Sequence, residues 1–160
     1  MSLHEQSVGA TSEWYTPPYV FGALGCFFDL DVAHPGTIDW VPCAGYLTHD
    51  GLQRDWRGFV WMNPPFGGRN ALSPWLDKWA QHANGIALVP DRTSAPWWQT
   101  YAPRAERLLF VAPKIRFIGA DGKPGGSPAQ GTTLLSIGQR GNDALCRASI
   151  SGLGYLARAA

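Results

Sequence analysis

FVWMNPPFGG, residues 59–68, sets an unbroken apolar run against an asparagine, two prolines, an aromatic ring and two glycines. Phe59 to Met62 read as a buried strand. That strand must stop at Asn63, because prolines cannot continue a central ladder. Consecutive prolines fix φ and hold the carbonyls of Asn63 and Pro64 in set directions. The Asn63 side chain adds another acceptor oxygen and an NH2 donor. Two acceptors aimed at one point suit an exocyclic amino group, and Phe66 offers a ring face to a flat base. The pattern describes a pocket for an amino-bearing nucleobase, read by stacking and by hydrogen bonds to its edge. A stiff turn with a buried phenylalanine is the alternative that a lone NPP would suggest.

Outward from this point the chain alternates short apolar strands with helical segments. Pro17 and Pro18 suit the start of a short helix, Tyr19 to Leu24, which Gly25 ends. CFFDLDVA (Cys26 to Ala33) is a strand, and a short one is expected near Tyr46 to Thr48. After the NPPF turn, Ser73-Pro74 reads as the N-cap and first position of a helix over PWLDKWAQHA, stopped by Asn84-Gly85. GIALVP (Gly85 to Pro90) and RLLFVA (Arg107 to Ala112) are further strands, with a helix from about Ala95 to Ala105 between them. KIRFIGADGKPGGSPAQGTTLLSIG suggests two strands around a long loop, Ala120 to Gly131, of a length usually reserved for function. This alternation predicts an α/β fold with a mainly parallel sheet and helices on its faces. Ligands in such sheets bind beyond the carboxyl ends of the strands. Asp31, Asn63 and Asp91 all fall at or near such ends.

With 160 residues and 45% hydrophobic content, a single domain over 1–160 is expected, with residues 1–12 as a loose arm. Nothing in the chain matches the length and apolarity of a membrane span. MSLHEQSVGATSEWYTPP lacks the basic start and apolar core of a signal peptide, so the protein is expected in the cytoplasm, that of the host if phage-encoded. Cys26, Cys43 and Cys146 are an odd, scattered set, better read as free thiols than as disulfides or zinc ligands. The four histidines have no metal-ligand spacing, and no metal is expected. A net charge of +1 gives little global attraction to nucleic acid, so positive charge must be gathered locally. Lys114 and Arg116, with Lys123 in the long loop, form one such cluster. Arg92, just past a strand end in VPDRTSAPWW, is placed to meet a phosphate or a base. The alternative for both is an ordinary solvated surface.

NPPF fits the (D/N/S/H)PP(Y/F/W) motif of the amino-methyltransferases, which methylate adenine N6 or cytosine N4. More specifically, the chain resembles the small phage-type DNA N-6-adenine methyltransferases. EWYTPPYVFGALG, FDLDVA, THDGLQRDW, VWMNPPF, ALVPDRTSAPWW and KIRF with its Pro/Ser-rich loop occur in that family's order over roughly residues 13–137. The resemblance implies a reduced Rossmann-like fold, S-adenosyl-L-methionine as cofactor, DNA as partner, and Asn63, Pro64, Pro65 and Phe66 as the catalytic motif. It also implies that Thr16 and Pro17 hold the methionine end of the cofactor. Asp31, and less directly Asp29, would face its ammonium or ribose, and Asp50 its adenine amino group. Arg92, Lys114 and Arg116 would meet DNA. One departure stands out: the glycine-rich turn that follows the first strand in many methyltransferases is reduced to Gly36 in AHPGT. That leaves open a nucleic-acid-binding protein of the same fold without turnover. NPPF alone also admits cytosine N4, RNA or a glutamine amide as acceptor.

Overall fold

The computed structural model describes residues 14–67, 70–126 and 128–159. The arm expected over residues 1–12 lies outside them. Strand β1 (Trp14–Tyr15) leads into helix α1 (Pro18–Leu24), which begins at the second proline of TPP, one residue earlier than expected. Gly25 ends it in the left-handed conformation at φ 60°, its N–H bonding back to the Phe21 carbonyl at 3.0 Å. Strands β2 (Phe28–Asp31), β3 (Cys43–Tyr46) and β4 (Val60–Met62) follow. Each is shorter than, or displaced slightly from, the apolar run that announced it.

Helix α2 (Leu72–His82) starts before the expected Ser73 cap, with Ala71 at its N-cap. Ser73 and Pro74 lie inside its first turn, where backbone N–H groups have no helical partner and a proline removes nothing. Strand β5 (Gly85–Pro90) matches its apolar run residue for residue. The next helix is shorter than expected. α3 (Pro96–Tyr101) gives way to a 3₁₀ turn over Ala102–Arg104, where Pro103 lacks the N–H needed to continue. Strand β6 (Arg107–Val111) comes next. Of the two strands expected around the long loop, β8 (Thr132–Ile137) joins the main sheet, whereas β7 (Ile118–Gly119) pairs with β1 and bridges to Pro124 instead. Helix α4 (Gln139–Ile150) and strand β9 (Gly154–Arg158) complete the described chain and had no counterpart in the sequence reading.

Seven strands of the described residues form one sheet in the order β3-β2-β4-β5-β8-β6-β9. β3, β2, β4 and β5 are parallel, as expected. The other half is not: β8 runs against both β5 and β6, and β9 runs against β6. The sheet is thus only partly parallel. One face packs against α1 and α4 through Phe21, Phe28, Phe59, Trp61, Ile86 and Leu145. The other packs against α2 and α3 through Met62, Leu76, Trp79, Val89 and Trp98. Phe28 and Phe59 stack at 4.8 Å, and Phe21 meets Trp61 edge-on at 5.0 Å. Each such ring contributes roughly 1.5–3 kcal/mol by leaving water, so the strand carrying NPPF is anchored firmly from both sides.

The chain leaves β2 for β3 on one side and returns to β4 on the other. Connections that diverge in this way open a crevice at the carboxyl ends of the two strands. Asp31 ends one strand and Asn63 follows the other.

Candidate active site at the carboxyl edge of the sheet

β4 delivers Asn63 half-buried and Pro64 buried, with Pro65 and Phe66 exposed beyond them. The Phe66 ring is 42% exposed, as a stacking surface must be before its ligand arrives. Asn63 Nδ2 donates to the Thr16 hydroxyl at 3.1 Å. Thr16 is itself buried, and its carbonyl accepts from Trp40 Nε1 at 2.8 Å. The TPP segment and the NPPF turn therefore meet. With its NH2 engaged, Asn63 keeps its carbonyl oxygen as an acceptor, and none of the described residues donates to it.

Asp31 is 2% exposed. Its neighbour in β4 is Trp61, two residues before Asn63. Burial pushes its carboxyl up to about 7, and the Ala33 N–H, 3.1 Å from Oδ1, only partly offsets this. No Lys or Arg among the described residues pairs with it. A buried acid without a cation suits a cationic ligand. Beside it in β3 stands Tyr46, whose ring stacks on His34 at 4.2 Å. His34 Nδ1 accepts the Gly36 N–H at 2.9 Å, and burial holds this imidazole below its ordinary value. Tyr46 lies in the strand expected near Tyr46 to Thr48 and His34 just after FDLDVA, and the sequence singled out neither for this position beside Asp31.

Asp50 occupies a turn at φ 55°, its carbonyl accepting the N–H groups of Gln53 and Arg54 at 2.9 Å each. Gly51 is pressed against the end of β2: a side chain there would collide with the Val32 carbonyl and the Trp75 ring. Asp50 is thus held beside the residue that follows Asp31.

Asp29 goes elsewhere. Its carboxylate accepts the Phe59 N–H at 2.7 Å and pairs with Arg140 at 2.8 Å. The Phe59 N–H first, and then Arg140, hold it below the usual range against the opposing effect of desolvation. Phe59 precedes β4, whereas Asn63 follows it, so Asp29 belongs to the amino end of that strand. It lines a cleft of 720 Å³ with Arg54, Asp55 and Arg57, apart from Asn63 and Thr16. The structure does not bring it to the other expected cofactor residues.

On the far side of Asn63, Asp91 accepts the Thr133 hydroxyl at 2.6 Å, and its N–H donates to Gly131 at 3.0 Å. Arg92 Nε donates to the Gln130 side chain at 3.2 Å, and Lys114 Nζ lies 3.2 Å from the Pro128 carbonyl. Both cations, though exposed, secure the end of the long loop; Arg116, two residues after Lys114, is exposed as well. The first part of that loop is a tight hairpin. Gly125 donates to Phe117 and Gly119 to Lys123, with Gly122 at φ 77° in the turn. β1 pairs with this hairpin and then leads directly into Thr16.

The family model for DNA N-6-adenine-methyltransferase (Dam) matches residues 5–142, well over half of the chain. The chain belongs to the Dam family. It is accordingly a DNA methyltransferase specific for adenine N6, and the partly parallel sheet with four α-helices among the described residues is consistent with the methyltransferase fold. The Dam match takes in TPP, FDLD, the Asp50 turn, NPPF and the long loop; β9 falls outside it. No curated protein and no solved structure matches the chain. No helix among the described residues is long and apolar enough to cross a membrane.

Proposed function

We propose that Asn63, Pro64, Pro65 and Phe66 form the target-base pocket of this adenine-N6 DNA methyltransferase, and that Thr16, Pro17, Asp31 and Asp50 hold S-adenosyl-L-methionine. The observation that carries this reading is the Asn63–Thr16 hydrogen bond. It joins the expected base pocket to the expected cofactor segment and frees the Asn63 oxygen to accept. S-adenosyl-L-methionine, when bound, supplies an electrophilic methyl group.

The residues of the chain then do the following. Phe66 stacks on an adenine taken out of the duplex. The Asn63 side-chain oxygen and the Pro64 carbonyl accept the two N6 hydrogens and draw the amino group out of conjugation with the ring. Its lone pair becomes available for attack, and catalysis is chiefly positioning and electrostatic. Asp31 presents a carboxylate to the cofactor's positive charge, and the Thr16 hydroxyl, beside the start of α1, orients its methionine end. Arg92, Lys114 and Arg116 contact DNA phosphates. Asp29 has a different task, tying α4 to the entry of β4.

Purified protein incubated with S-adenosyl-L-methionine and unmethylated DNA tests this reading, with products resolved as nucleosides. Asn63→Ala should lose nearly all N6-methyladenine formation while keeping its fold. Wild-type activity in that variant would remove Asn63 from the pocket.

A further inference from the structure

α2 follows the NPPF turn directly, and it presents three side chains on one face: Trp75, Lys78 and His82. All three grip the segment that begins at Asp50. Lys78 Nζ donates to the carbonyls of Leu52 at 2.9 Å and Arg54 at 2.5 Å, with the Gly51 carbonyl at 3.4 Å. The same ammonium lies 5.0 Å over the Trp56 ring, and Trp56 Nε1 donates to the Gly51 carbonyl at 2.7 Å. Trp75 stacks on Trp56 at 6.4 Å and closes over Gly51. His82 Nε2 holds the Gly58 carbonyl at 2.7 Å, at the other end of the segment.

A lysine ammonium has three donors and no acceptor. Gathering three carbonyls of one turn around it locks that turn more tightly than a surface ion pair could. The residue so locked is Asp50, which is exposed and sits at positive φ, a left-handed turn conformation that aspartate tolerates better than most non-glycine residues.

We infer that Lys78 is a positioning residue of the cofactor site, setting the Asp50 carboxylate against the end of β2 through the backbone of residues 51–54. This rests on the proposed role of Asp50 toward the cofactor. Because α2 also emerges from the target-base turn, one helix carries the geometry of both substrates, yet Lys78 addresses only the cofactor side.

The test is steady-state kinetics on the full chain with S-adenosyl-L-methionine and DNA each varied, for Lys78→Met, Lys78→Arg, Trp56→Phe and Asp50→Asn. Lys78→Met should raise KM for S-adenosyl-L-methionine about fivefold or more, with kcat and KM for DNA held within about twofold. Lys78→Arg, which keeps donors for the carbonyls, should recover most of that loss. An unchanged cofactor KM in Lys78→Met, or a parallel loss in all three parameters, would overturn the inference. Should Lys78→Met fail to fold, Trp56→Phe decides the matter, since it removes the N–H bound to Gly51 and shrinks the ring beneath Lys78 and beside Trp75: its cofactor KM must rise, and an unchanged value refutes the role. Asp50→Asn separates the two levels. If it leaves the cofactor KM unaltered, the proposed site itself fails; if it raises KM while the Lys78 and Trp56 variants do not, only the positioning inference fails.

Discussion

Asn63 donates its side-chain amide to Thr16 across 47 residues of sequence, at 3.1 Å. A turn that merely reversed the chain would have no need of this bond. With the NH2 engaged, the Asn63 oxygen is left to accept, which is the orientation the proposed pocket requires. Replacing Asn63 by Ala removes the acceptor and should lower kcat by roughly 10²–10³-fold, the usual effect of deleting one preorganised polar group. A thermal midpoint close to wild type would show that the loss is chemical.

The same bond predicts the behaviour of Thr16. Thr16→Val keeps the shape but orphans the Asn63 NH2, and the amide becomes free to rotate. We expect kcat to fall on the order of tenfold through misorientation, while Thr16→Ser, which retains the hydroxyl, stays near wild type. Equal activity in the Val and Ser variants would show that the hydrogen bond does not orient Asn63.

Asp29 and Asp31 stand two residues apart and respond oppositely to pH. Asp31 keeps its proton up to about pH 7 in the folded chain but releases it near 3.8 when unfolded. Over that window the folded state binds more protons, so this residue's contribution falls as pH rises. Asp31→Asn should therefore gain thermal stability over wild type progressively from pH 4 to pH 7, measured by calorimetric melting. Asp29 is held low, so its contribution is present above its unfolded-state value and is lost in acid. Asp29→Ala should cost about 1 kcal/mol at pH 7, a modest figure because the ion pair is half exposed. Its affinity for S-adenosyl-L-methionine should match wild type. A cofactor-binding defect in Asp29→Ala would return this residue to the site.

Much of this was legible in the sequence, and where it was not, long-range contacts are responsible. NPPF after an apolar run marked a strand end correctly because two prolines leave the chain no alternative. Gly25 and GIALVP were equally direct. Asp29 was implied less directly than Asp31, and the fold gives it the Phe59 N–H and Arg140 as partners, which no pattern in FDLDVA announces. In the fold, the Phe59 carbonyl accepts from both Asp29 and Leu30, at 2.8 and 3.3 Å, and this irregularity separates the two acids. β1 and β7 are two residues each and exist only because they find each other across a hundred residues. α4 buries Gly141, Ala144, Leu145 and Ala148, a stripe too small to stand out among its charges. The Lys78 clamp is made of backbone carbonyls, which no residue pattern reveals.

The proposed DNA contacts carry a salt dependence. With net charge +1, the affinity for DNA should be modest and fall as salt rises. Replacing Lys114 and Arg116 together by Ala should weaken binding to all sequences alike and lower the salt slope by up to about 2. Because Lys114 also bonds to the Pro128 and Ala129 carbonyls, the 128–131 segment should become more susceptible to proteolysis in this variant. Superimposable affinity–salt curves would place the DNA surface elsewhere.

The central claim is that adenine N6 is methylated in the pocket built by Asn63 to Phe66, and nucleoside mass spectrometry of DNA treated with purified protein and S-adenosyl-L-methionine tests it most directly. Wild-type protein should yield N6-methyladenine and no N4-methylcytosine, and the Asn63→Ala variant, folded, should yield roughly 10²–10³-fold less N6-methyladenine in the same time and no N4-methylcytosine. N4-methylcytosine as the product, or undiminished N6-methyladenine from Asn63→Ala, would contradict it.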